Sequence, residues 1–285
     1  LASYIDENPS FDLVKMLHSG SVAKGTALST VSDMDVAVYV KRGSSHLDEK
    51  NLIPWLADQL KLVYSHTEMK PEQFKEQDHS VRVHFKGSDL DVDVAPVLYE
   101  GDPNDRGFLV EKYTGERVLT SIPMHLDFIR RRKAKQKNHY TQVVRIVKWW
   151  VSQRRAENEN FKFKSFMIEL LLAKMVDDGL DCSNYLTALE TFFTHLVKKQ
   201  LLTPIIFTDF YSADKLPTRD NNSIKIYDPV NPENNVAKGY SEATRKQILE
   251  AATDALEALL FAKRATTKGV ATDCWSKILG SGVGG

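Results

Sequence analysis

Asp33 and Asp35 stand two apart at the start of a run, Met34 to Val40, that alternates and is rich in β-branched residues. On a strand, side chains at i and i+2 leave the same face, so the two carboxylates converge. Like charges that close repel unless a cation sits between them or one is protonated. Asp89, Asp91 and Asp93 form a second such series, opposite in parity to Leu90, Val92 and Val94. Neighbouring strands would bring one of these beside the first pair. Three carboxylates on adjacent strands make a hard oxygen site suited to Mg²⁺, which takes few protein ligands and completes its shell with substrate phosphates. Two such ions would activate an attacking hydroxyl and stabilise a leaving pyrophosphate. Parity alone leaves Asp89, Asp91 and Asp93 as candidates for the third ligand. Paired aspartates also line plain solvated strand faces. The added weight comes from Gly20-Ser21, about a dozen residues upstream in a small-residue turn running to Thr26. Backbone N–H groups there would cradle a triphosphate, with the Ser21 hydroxyl as a further donor.

These residues need a scaffold, and the chain supplies one in order. Asp12 to Ser19 reads as a strand before the turn, and Asp48 to Tyr64 has helical spacing through Leu52, Trp55, Leu56, Leu60 and Val63. Val81, Val83 and Phe85 alternate on one arm of a hairpin and Leu90, Val92 and Val94 on the other, with Lys86-Gly87-Ser88 as the turn. After Pro123 helical periodicity dominates, with helices expected from Met124 to about Glu157, Ser165 to Val176, Ser183 to Gln200 and Ser241 to Arg264. Asp214 to Asn235 is a polar loop with a brief strand, Ile224 to Tyr227. The chain therefore divides near residue 122 into a mixed α/β part and a mostly helical part, followed by a small-residue tail from Gly280 to Gly285.

Bulk composition limits the function classes. Thirty-eight basic and 38 acidic residues give zero formal net charge, which argues against a protein whose main business is coating nucleic acid. The two cysteines, Cys182 and Cys274, cannot build a zinc ribbon or a disulfide framework, so a reducing cytoplasm is expected. No apolar run reaches membrane-span length, and no membrane association is expected.

Gly20-Ser21-x-x-Lys24-Gly25-Thr26 followed by Ser32-Asp33-x-Asp35-Val36 resembles the signature of polymerase-β-type nucleotidyltransferases. More narrowly it is similar to the branch shared by oligoadenylate synthases and the bacterial cGAS/DncV-like nucleotidyltransferases, the CD-NTases. Asp93-Val94-Ala95-Pro96 resembles that branch's third-carboxylate segment, which implies Asp93 rather than Asp89 or Asp91. Val144 to Trp150 resembles the helix whose lysine, here Lys148, contacts donor phosphates. Lys164-Ser165-Phe166 resembles the helix start whose serine joins that contact, and Glu169-Leu170-Leu171 continues the pattern. Tyr227-Asp228-Pro229-Val230-Asn231-Pro232 with Asn234-Asn235-Val236-Ala237 resembles a segment of the same C-terminal domain.

The resemblance implies an α+β fold: a two-lobed polymerase-β-like core of mixed sheet and helices over residues 1–122, and a helical oligoadenylate-synthase-like lobe over 123–279. It implies a cyclic di- or trinucleotide messenger made from NTPs, ATP among them, in defence against phage. Asp33, Asp35 and Asp93 would be the catalytic and metal-binding set, with two Mg²⁺ ions or Mn²⁺ in their place. Gly20, Ser21, Lys24, Lys148 and Ser165 would hold the nucleotide. Activation by nucleic acid is not expected. The alternatives are a linear 2′-5′ oligoadenylate synthase activated by double-stranded RNA, and a degenerate binding module, against which the intact carboxylates and turn argue.

Several features stand apart from that set. The basic run Arg130-Arg131-Arg132-Lys133 reads first as a solvated helix face and second as a phosphate-facing edge. His18 is structural or solvent-facing, and Trp149 and Trp150 read as core between the lobes. Asp228 and Asn231 either shape their loop or contact a nucleotide. The glycine tail reads as a plain flexible end. Some members of the family also have their C-terminal glycine conjugated by an operon-encoded E1–E2-like enzyme, a partner the resemblance implies at Gly285.

Overall fold

The computed structural model describes residues 13–28, 33–41 and 49–281. Asp12, Ser32, Asp48, Gly284 and Gly285 lie outside the described residues, and with them the glycine-tail reading. The chain separates into two compact units, Leu1–Asp127 and Phe128–Gly285.

The first unit is built on one sheet. Strand β1 (Leu13–Ser19) leads into a five-residue helix α1 (Gly20–Lys24), then β2 (Asp33–Lys41) and helix α2 (Leu52–Val63). Strands β3 (Phe74–Glu76), β4 (Val81–Phe85), β5 (Leu90–Tyr99), β6 (Gly107–Val110) and β7 (Arg117–Thr120) follow. The order β1-β2-β5-β4-β3 places β2 and β5 side by side and parallel, with β6 and β7 extending from β5.

Alternation gives each central strand two faces. Val36, Val38 and Val40 of β2 and Val94 and Leu98 of β5 pack with Leu52, Ile53, Leu56 and Leu60 of α2. Leu52, Leu56 and Leu60 recur every fourth residue, which lines one helical face toward the sheet. Leu56 and Leu60 are fully buried, each contributing roughly 1.5–3 kcal/mol. The opposite face carries Ala37, Tyr39 and Val97 and, further along the same parity, the aspartates. Slipping the register by one residue would drive those carboxylates into the α2 core, so the apolar parity fixes where they point.

The second unit is helical. Helix α3 (Ile122–Gln136) crosses the unit boundary and is followed by α4 (His139–Glu157), α5 (Ser165–Asp177), α6 (Tyr185–Lys199), α7 (Glu242–Arg264) and α8 (Lys268–Leu279). The single helix expected from Met124 to Glu157 is two, because Lys137 adopts a left-handed conformation, φ 51°, between them. Trp150 sits at the centre of this unit's core, edge-on to Phe161, Phe163 and Phe193. The expected strand at Ile224–Tyr227 is reduced to isolated bridges, Ile205 to Ile226 and Tyr227 to Asn235. Among the described residues no helix is long and apolar enough to cross a membrane.

Candidate active site

The parallel register sets Asp33 opposite Asp91 and Asp35 opposite Asp93. On the far side of β5 the antiparallel register sets Arg82 opposite Asp93 and His84 opposite Asp91. Two ranks of side chains thus cross three strands on one face. Asp89 is not among them, contrary to its expected place on the strand. It is exposed in the turn before β5, with φ 50°.

Asp35 reports the electrostatics of this face. Its carboxyl is raised above the ordinary value by burial first, then by the charges of Asp93 and Asp33, against lowering by Lys24 and by the Ser21 N–H bonded to it. A carboxylate held against two others is what a cation relieves, so the donor set fits a divalent ion.

Among the described residues no three acid, histidine or cysteine side chains form a metal cage. Two of the carboxylates are held by neighbours on β4. Arg82 Nε donates to Asp93 Oδ1 at 2.8 Å and Nη2 donates to Oδ2 at 2.8 Å, while His84 Nδ1 lies 2.7 Å from Asp91 Oδ1. Sequence reading missed both partners. The pattern Arg82-x-His84 was present on the arm beside Asp91-x-Asp93, but the turn Lys86-Gly87-Ser88 would pair Phe85 with Asp89. The turn instead runs through Asp89 and pairs Phe85 with Leu90, which sets Arg82 opposite Asp93.

The small-residue turn packs directly on Asp35. Gly20 has φ 62°, and a β-carbon there would lie 1.6 Å from Asp35 Oδ2. Gly25, φ 72°, ends α1, and the Thr26 N–H returns to the Ser21 carbonyl at 2.8 Å. The structure thus brings Gly20, Ser21 and Lys24 to Asp35, with Asp33 and Asp93 beside it. Gly20→Ala will therefore displace Asp35, and pyrophosphate release will fall roughly a hundredfold, the scale of loss from a displacement of about 1 Å. Release assayed beside a circular dichroism spectrum checks this; unchanged release from a folded variant would refute it.

In the second unit Lys148 Nζ donates to Glu169 Oε1 at 2.6 Å, with side chains 6% and 2% exposed. Ser165 opens α5 and is exposed. The basic run is not one solvated face: Arg132 is buried, donating to Asp209 at 2.6 Å and paired with Asp177, whereas Arg130 and Arg131 are exposed. His18 is exposed. Trp149 donates to the Leu279 carbonyl at 2.7 Å. Asp228 Oδ1 accepts from the Val230 N–H at 2.8 Å and Asn231 Oδ1 from the Glu233 N–H at 3.1 Å. These bonds shape the loop, as aspartate and asparagine do in turns.

Residues 4–111 match the family model described as a nucleotidyltransferase domain. The cyclic AMP-AMP-AMP synthase of Escherichia coli strain MS 115-1 is 46% identical over 281 residues, covering 99% of this chain and 87% of that protein. Solved structures of E. coli MS115-1 CdnC, one with ATP and one with HORMA-deltaN, give a TM-score of 0.89 at 45% identity, covering 100% of this chain and 88% of that one. Vibrio cholerae DncV cyclic AMP-GMP synthase gives a TM-score of 0.69 at 14% identity, over 95% of this chain and 70% of that one, and so shares the fold.

Proposed function

The chain belongs to the bacterial CD-NTases, nucleotidyltransferases that make cyclic oligonucleotides, and we propose that its product is cyclic AMP-AMP-AMP, built from ATP for defence against phage. The observation that carries the catalytic assignment is the register of Asp33 and Asp35 against Asp91 and Asp93, with Gly20 seated on Asp35. The ATP substrate and the adenosine trimer are carried from the 46% identical synthase and its ATP-bound structure. The HORMA-deltaN complex of that relative supports a HORMA-type protein as partner. The bacterial cytoplasm is the compartment this reading implies.

Asp33, Asp35 and Asp93 would hold Mg²⁺ as two ions, with Mn²⁺ as a substitute, whose chemistry is to neutralise the triphosphate and to acidify the attacking hydroxyl. The turn at Gly20 and Ser21 receives the donor phosphates, with the Lys24 charge beside it. Asp93 accepts the proton of the acceptor hydroxyl, since each of its oxygens keeps a lone pair beyond the Arg82 hydrogen bond. The acceptor oxygen bonds to the α-phosphorus, the bond from that phosphorus to the bridging oxygen breaks, and pyrophosphate carries the electron pair away. The resemblance extends the donor-phosphate role to Lys148 and Ser165.

Mass spectrometry of products from ATP, GTP, CTP and UTP, with and without double-stranded RNA, tests this. The expected product is a cyclic adenosine trimer from ATP alone. Linear products that appear only with RNA, or a cyclic dinucleotide requiring GTP, would replace the assignment.

A further inference from the structure

The aspartate face carries a fixed cation of its own. Arg82 reaches both oxygens of Asp93 through Nε and Nη2, each at 2.8 Å, and its Nη1 lies 3.5 Å from Asp91 Oδ2. Strand geometry brings the two side chains within reach, because Arg82 is the cross-strand partner of Asp93, which is itself the partner of Asp35. The guanidinium is held well above its ordinary value, first by the Asp93 hydrogen bond, with the charges of Asp93, Asp33 and Asp91 adding to it. One side chain therefore feels three of the four carboxylates in the two ranks.

We propose that Arg82 is a resident counter-cation that keeps free divalent ions weakly held on this face, so that the ion enters together with the triphosphate. The proposal rests on the assignment of metal binding to Asp33, Asp35 and Asp93. A fixed positive charge in contact with one ligand repels an incoming cation and occupies a lone pair on each Asp93 oxygen. A nucleoside triphosphate brings several negative charges with its ion, and toward that complex the guanidinium attracts. The sign of the Arg82 contribution thus reverses between the bare ion and the ion–nucleotide complex. Arg82 acts on the reaction through Asp93 and is a positioning residue.

The full-length chain titrated with Mn²⁺, read by the electron paramagnetic resonance of the free ion, tests this. Because the Arg82 side chain is 33% exposed, water screens it and the expected change is moderate. Arg82→Gln should bind Mn²⁺ alone on the order of tenfold more tightly than the unmodified chain. With a nonhydrolysable ATP analogue present, that advantage should vanish or reverse. Arg82→Lys keeps the charge without the fork and should stay near the unmodified affinity, and it remains informative should Arg82→Gln fail to fold. Arg82→Gln binding Mn²⁺ alone no more tightly, or Arg82→Lys binding about tenfold more tightly, overturns the proposal while the metal assignment stands. Binding that persists in Asp33→Asn/Asp35→Asn, or is absent from the unmodified chain even with the analogue, overturns the metal assignment and the proposal with it.

Discussion

Exchanging Asp33 and Asp35 together for asparagine will lower magnesium-dependent pyrophosphate release from ATP by roughly a thousandfold or more, with no loss of thermal stability. The first half of that result follows from charge. Asparagine keeps the shape and the side-chain carbonyl that accepts the Ser21 N–H, but removes two of the three charges assigned to the ions. Metal-ion catalysis contributes several kcal/mol of transition-state stabilisation, and each 1.36 kcal/mol is a factor of ten, so losing it costs about three powers of ten. The second half follows from the raised Asp35 carboxyl. An acid whose folded value lies above its unfolded value destabilises the fold as pH rises through that range, because the folded state must give up a proton it holds more tightly. Removing the charge at neutral pH relieves the repulsion from Asp93 and Asp33, and the melting temperature should hold or rise. Pyrophosphate release and a thermal melt on one preparation read both halves. Release that survives in the double variant would refute the metal assignment, and a collapsed melt would show the aspartates to be structural.

How much of this site was legible beforehand depended on the range of the contacts. The parity of Asp33 with Asp35 and of Asp91 with Asp93 is written into adjacent residues, since Val36 and Val94 must face α2. The turn at Gly20 was legible because few residues tolerate φ 62°. The parallel pairing of β2 with β5 was not, because more than forty residues of chain intervene and no local signal sets that register. Strands β3, β6 and β7, of three or four residues, are too short for alternation to stand out. Arg82 and His84 carried no signal of their own, because a turn at Lys86-Gly87-Ser88 pairs Phe85 with Asp89, and only the extra turn residue Asp89 shifts them opposite Asp93 and Asp91. The break at Lys137 carries neither glycine nor proline, so periodicity ran straight through it. Arg132 was misjudged because its partners, Asp177 and Asp209, are brought to it only by the folding of the second unit.

Lys148 shows the same limit at its most consequential, since Glu169, 21 residues along, lies on a different helix. Glu169→Ala removes the carboxylate 2.6 Å from a lysine whose side chain is 6% exposed, and will lower stability by about 3 kcal/mol, as expected when one partner of a buried pair is deleted. The cost is mostly the desolvation of the remaining charge, which loses the carboxylate beside it while staying out of water. Replacing both partners by apolar residues, Lys148→Met with Glu169→Leu, removes that charge and should recover most of the loss, because attraction in a buried pair roughly repays desolvation and little more. Urea denaturation of the two variants reads the difference. A single variant as stable as the unmodified chain would show the pair to be energetically idle, and a double variant no better than the single would show that shape rather than charge is the cause. Once folded, the double variant also isolates the phosphate role given to Lys148. Pyrophosphate release that falls in a chain of restored stability supports the contact with the donor, and release that persists assigns Lys148 to the core alone.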